Sequence, residues 1–165
     1  MKSLTLSTCL ALFATVQAVA AEQPALTPAM LEVAIGEDWT GELTYLNYQT
    51  PFEDVTIRAN AEIAAIENGL EIAYKYPDEP HANSSVRARI SADGHSFMGE
   101  PIVSNVALDG GARQIGTRFS CEDMGRAATC EMTYFFSPAQ IEITKMVTYA
   151  EGGEPFRRNS YTFSR

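Results

Sequence analysis

Ile115-Gly116-Thr117-Arg118-Phe119-Ser120-Cys121 and Cys130-Glu131-Met132-Thr133-Tyr134-Phe135-Phe136 decide the fold. In both runs apolar and polar side chains alternate with a period of two, the pattern of a strand with one dry and one wet face. If Cys121 faces Cys130, the runs pair antiparallel with residue numbers summing to 251. That register sets Phe119 opposite Met132, Thr117 opposite Tyr134 and Ile115 opposite Phe136 on one face. Ser120 with Glu131 and Arg118 with Thr133 then occupy the other face, so one hairpin accounts for a disulfide and for an inside/outside pattern. Only Phe135 disagrees.

Working outward, Val55, Ile57, Ala59, Ala61 and Ile63 alternate with Thr56, Arg58, Asn60 and Glu62. Leu70, Ile72 and Tyr74 continue the pattern, and Val86, Ala88 and Ile90 alternate with Arg87 and Arg89. Turn signals separate these runs at Asn68-Gly69, Asp93-Gly94, Asp109-Gly110-Gly111 and Gly152-Gly153. Strands are expected near 39–49, 53–66, 70–76, 85–91, 95–107, 112–121, 130–137, 140–149 and 156–164, with Gly99-Glu100-Pro101 a candidate break in the fifth. The fold class is therefore all-β: an antiparallel up-and-down meander of eight to ten strands. Consecutive hairpins without helical crossovers close most readily into a barrel, which removes exposed edges; a two-sheet β-sandwich is the alternative.

The start of the chain reads differently. Lys2, the apolar run Leu4 to Val16 and the small residues of Gln17-Ala18-Val19-Ala20-Ala21 form a secretory signal peptide over residues 1–21. The run is short of the ~20 residues that span a bilayer, so no transmembrane segment is expected. Cys9 precedes the apolar core and follows Thr8, which does not suit a lipid-anchored cysteine. Residues 22–38 form a lead-in segment and a short helix, with Thr27 as N-cap, Pro28 at the first helical position and Gly36 ending it. Met30, Leu31 and Val33 would cover one end of the sheet. Residues 39–165 form the single barrel domain.

The 165 residues carry 12 basic and 21 acidic side chains, a net charge of −9. Loss of Lys2 with the leader makes the mature chain more acidic still, which disfavours nucleic acid as a partner. Export to an oxidising compartment, periplasmic or extracellular, would pair Cys121 with Cys130 as a structural disulfide. His81 and His95 lie in separate loops and do not complete a zinc motif, so neither a metal nor a cofactor is assigned.

Gly36-Glu37-Asp38-Trp39-Thr40-Gly41-Glu42-Leu43-Thr44-Tyr45 resembles the first strand of the calycins, the group of lipocalins and fatty-acid-binding proteins. In that group a short helix leads into a strand marked by Gly and Trp, usually with one residue between them; here two intervene. The resemblance covers the lead helix, one strand and the C-terminus. It implies a barrel that binds small apolar molecules, with a basic residue from the last strand over the Trp. Trp39 and Arg165 are then the barrel-end anchor, with Arg157 and Arg158 as rivals for Arg165.

No nucleophile elbow, phosphate loop or zinc-protease helix is present, so no catalytic residue is assigned and an enzyme is not expected. Lys145 is the oddity: Ile141, Ile143, Val147 and Tyr149 share its inward parity, and an unpaired buried ammonium is costly. It could meet an acidic ligand head group. Alternatively a bulge between Lys145 and Met146, or a place at the barrel mouth, takes it to water. The leading expectation is an exported carrier or sensor of a small, mostly apolar molecule. Leu43, Tyr45, Ile72, Tyr74, Phe119, Met132, Tyr134, Ile143, Tyr161 and Phe163 would line the site beside Lys145. The alternative is an envelope interaction module with a solid barrel, its protein partner not specified. A cavity above roughly 300 Å³ would mark the carrier, a filled core with an exposed apolar patch the module, and a strongly shifted acid or base in the mouth an enzyme.

Overall fold

The lead-in segment enters the fold at Leu26, which is buried and whose amide donates to the Gly94 carbonyl at 3.0 Å. The structure, a computed structural model, describes residues 24–49 and 52–165; the segment read as a signal peptide, with Cys9, lies outside the described residues. Pro28–Ala34 is a 3-10 helix whose N-cap Thr27 makes no side-chain capping bond. Its three-residue turn puts Leu31 and Ala34 on one face, and both are fully buried. Met30 and Val33, also three apart, pack half-buried against the same core.

Ten strands follow: β1 (Gly36–Asn47), β2 (Glu53–Ile66), β3 (Gly69–Lys75), β4 (Ser84–Arg89), β5 (Ser96–Phe97), β6 (Glu100–Ala107), β7 (Arg113–Asp123), β8 (Arg126–Phe136), β9 (Gln140–Tyr149) and β10 (Phe156–Ser164). Their order is β4-β3-β2-β1-β10-β9-β8-β7-β6-β5, with each paired antiparallel to its neighbours. β1 and β10 pair from Thr40↔Ser164 to Tyr45↔Asn159. The two ends of the sheet, β4 and β5, are adjacent in sequence and meet through the single bridge Ile90↔Phe97. The result is a nearly closed up-and-down barrel, compatible in architecture with a calycin barrel, and the sandwich is set aside. The expected fifth strand is split at Met98-Gly99 into β5 and β6, both turn residues having positive φ.

The β7–β8 register differs from the one read in the sequence. Residue numbers sum to 249, so Phe119 pairs with Cys130 and Cys121 with Ala128. Met124 and Gly125 both take positive φ, which makes a two-residue type I′ turn between Asp123 and Arg126. The slip of two preserves every inward and outward assignment. The disulfide forms diagonally, with Cα atoms 5.8 Å apart. Phe135 faces outward, in line with Gln114 and Glu142.

Candidate functional site

The inward faces of the strands form stacked rows. Nearest the helix, Phe136, Ile141, Phe163, Gly41 and Ala59 are cross-strand neighbours. Gly41 is required there, because a Cβ would run into the Thr162 carbonyl. This end is closed by Trp39, 1% exposed, whose indole N–H donates to the Ala34 carbonyl at 2.9 Å. The Arg165 guanidinium lies over its ring at 4.2 Å, and neither Arg157 nor Arg158 takes that place. Arg165 also donates to the carbonyls of Ile35, Pro138 and Val33 at 2.8, 2.9 and 3.3 Å. An even number of strands brings the last one back beside the first, which is why the C-terminal residue reaches this position.

The next row is Ile115, Tyr134, Ile143, Tyr161, Leu43 and Ile57, and the row beyond it is Thr117, Met132, Lys145, Asn159, Tyr45 and Val55. Beyond these, Phe119, Cys130, Val147 and Phe156 begin a second apolar cluster around the disulfide. Lys145 therefore stands between two apolar layers. The bulge expected between Lys145 and Met146 is instead in the neighbouring strand, between Arg157 and Asn159, so Lys145 keeps its inward parity.

Between these rows and β3–β4 lies a cavity of about 230 Å³. Ile72, Tyr74, Met132, Tyr134, Ile143, Lys145 and Tyr161 are brought together around it, joined by Val86, Met98 and Asn159, which sequence reasoning did not place in the lining. Leu43, Tyr45, Phe119 and Phe163 are not among its walls. Leu43 and Phe163 pack in the main core and Phe119 in the second cluster, while Tyr45 occupies the row of Lys145. Of the residues missed, Val86 carried a signal in the alternation of β4. Asn159 carried none, since the bulge shifts the parity of β10.

Tyr74 and Tyr161 stack at 4.6 Å, the Tyr76 and Tyr161 hydroxyls are 2.7 Å apart, and Tyr134 meets Phe97 edge-on at 4.9 Å. Burial raises the Tyr134 hydroxyl to about 12. Burial likewise pushes Tyr74 and Tyr161 above the ordinary phenol range. These are neutral donors and acceptors, not bases. The Thr117 hydroxyl, 1% exposed, is the buried side-chain oxygen among the described residues that lacks a hydrogen bond. Tyr134 reaches Met98, donating to its sulfur at 3.5 Å. Met98 stands on the β5–β6 turn, where the wall is lowest: the β6–β7 pairing stops at Ile102↔Thr117, and β7 continues six residues beyond it.

The far end of β7 carries the one buried carboxylate among the described residues. Asp123, 7% exposed, accepts from the Tyr48 hydroxyl and from the Tyr149 hydroxyl at 2.9 Å, and pairs with Arg158 Nε at 3.4 Å. Burial and then the bond to Asp123 push Tyr48 upward. Arg158 also covers the Tyr48 ring at 4.4 Å and donates to the Leu46 carbonyl at 2.9 Å. This carboxylate is fully engaged, so the cluster ties β1, β7, β9 and β10 together and offers no free acid or base. His81, in the short 3-10 turn Pro80–Ala82 where a loop was expected, and His95, in a loop, are both exposed. Among the described residues no three His, Cys, Asp or Glu side chains are placed to hold a metal, and no helix is long and apolar enough to cross a membrane.

No protein-family model matches the chain, and no curated protein matches it.

Proposed function

We propose that this chain is an exported small-ligand-binding protein of lipocalin-like type that holds one small, mostly apolar molecule inside its barrel. The observation that carries the reading is the cavity of about 230 Å³ walled mostly by aliphatic, methionine and tyrosine side chains, with Lys145 and Asn159 as its polar members. It falls short of the roughly 300 Å³ set above as the mark of a carrier of drug-sized molecules, but it exceeds the roughly 150 Å³ apolar cavity that accepts benzene, so the reading holds only for a smaller occupant. Scaling from benzene, the occupant has about nine non-hydrogen atoms. A long acyl chain or a retinoid is too large to be enclosed there. Export is part of the proposal and has two supports: the leader read over residues 1–21, and the Cys121–Cys130 bond, which belongs with an oxidising compartment.

Calorimetric titration with toluene tests the reading. Saturable binding that disappears in Val86→Phe, which adds ring volume to a half-buried wall residue, supports it; absence of toluene binding by the wild-type protein removes it. A second reading rests on the outer side of β6 and the turn that follows it, where Val103, Val106 and Leu108 are 52%, 45% and 41% exposed. An apolar stripe of that kind suits a protein partner. Native mass spectrometry of protein taken from its own envelope separates the two, since a retained small molecule and a retained polypeptide differ in mass.

A further inference from the structure

We propose that the occupant of the cavity is a small monocarboxylate whose anionic group pairs with Lys145, an inference that rests on the ligand-binding reading above. Charge is the first consideration. The chain has 21 acidic against 12 basic side chains, so carboxylates are in excess. Seven basic side chains have an acidic partner within 4 Å. Lys145 is not one of them: it makes no ion pair and no side-chain hydrogen bond among the described residues, and no acidic side chain lines the cavity.

Its surroundings make this informative. Met132 and Asn159 flank Lys145 in its row, Tyr134, Ile143 and Tyr161 lie on one side, and Cys130 and Val147 on the other. Lys145 is half-buried at the wall of an apolar cavity, and an ammonium placed there without a partner favours an anion that can reach it. A single ammonium beside a single amide matches one negative charge; a phosphate dianion would bring a second charge into apolar walls with no cation to meet it. The rest of the cavity suits a ring or a short branched chain against the Tyr74–Tyr161 stack. With about nine non-hydrogen atoms available, benzoate and hexanoate are the right size.

The test is isothermal titration of the disulfide-intact protein with benzoate and with benzamide, which has the same shape and no charge, with toluene as the reference for the cavity itself. Benzoate is expected to bind about tenfold to a hundredfold more tightly than benzamide, the range of a charge-assisted hydrogen bond in a partly dry site. Lys145→Met should abolish that preference, while Lys145→Arg retains it. Toluene and benzamide binding with no preference for benzoate in the wild-type protein overturns the anionic ligand and leaves the cavity reading standing. A benzoate preference that survives Lys145→Met also overturns it. If none of the three probes binds, both readings fall together. The comparison of benzoate with benzamide needs no variant, so it decides the matter even if Lys145→Met does not fold.

Discussion

Replacing Arg165 with Ala removes the cap on the closed end of the barrel, and the structure sets the size of the effect. The guanidinium covers Trp39 at 4.2 Å, an interaction of about 0.5–2 kcal/mol. It also donates to three carbonyls, on two separate segments, at 2.8, 2.9 and 3.3 Å. Charged hydrogen bonds contribute about 1.5–3 kcal/mol each when buried. The Arg165 side chain is 25% exposed, however, and water replaces part of what it gives. The Asp38 contact at 3.9 Å adds little, because that carboxylate is 74% exposed. The expected loss is about 3 kcal/mol, a fall in Tm of roughly 6–12 °C for a chain of this size. Urea unfolding followed by the emission of Trp39, the single tryptophan, reads it directly. The midpoint should drop with the slope unchanged, and Arg165→Lys should lose about half as much, since an ammonium cannot fork to three carbonyls. Gly36 supplies a cross-check, because a Cβ there would strike the Arg165 guanidinium. Gly36→Ala should therefore cost much less in the Arg165→Ala background than alone. A loss below about 1 kcal/mol for Arg165→Ala, or strict additivity with Gly36→Ala, refutes the capping role.

Changing Cys121 and Cys130 together to Ala should lower stability by roughly 2–3 kcal/mol through the released nine-residue separation, and thiol titration of denatured, unreduced wild-type protein should find neither cysteine free. Stability should fall steeply above pH 10: Tyr74 and Tyr134 are held protonated in the fold by burial, so their contribution is complete below the unfolded pKa and is lost as the unfolded chain ionises. At pH 11 those two cost roughly 3 kcal/mol, which tyrosinate absorbance and unfolding midpoints measured together will show. Gly41→Ala should be severely destabilising, because its neighbour across the pair is the Thr162 backbone and not a movable side chain; a midpoint within experimental error of wild type contradicts that contact.

The strands were legible because period-two alternation survives along most of their length. β2 and β10 begin and end where expected, but register shifts at Gly36/Trp39, Ile102/Ser104 and Arg157/Asn159 break the parity locally, and the last of them hides Asn159. The hairpin register escaped sequence reading for a conformational reason. Two cysteines of equal parity fix the face and not the offset, and a disulfide tolerates a diagonal placement. Met124-Gly125 sets the offset by adopting positive φ at both positions, which Met rarely does. Nor does parity separate lining from filling. Phe163 and Tyr161 are two residues apart on the same face, yet one is sealed under Trp39 and the other borders the cavity.

What divides them is the height of the wall opposite. Near the helix the barrel is complete, and rows of Phe and Ile meet across it with small residues, Gly41, Ala59 and Ala61, where the strands come closest. Toward the other end β4 begins only at Ser84 and β5 contributes two residues, while β7 to β10 run on past them. The inward side chains of the long strands then lack partners at the level of Tyr134, Ile143 and Lys145, and space appears in front of them. The disulfide and the Tyr48–Asp123–Tyr149–Arg158 cluster hold the long strands together above that level, where no facing wall supports them. At this height an inward lysine faces the cavity, whereas one row higher it would lie in the apolar cluster around the disulfide. The unequal strand lengths thus make both the cavity and the position from which a cation faces it.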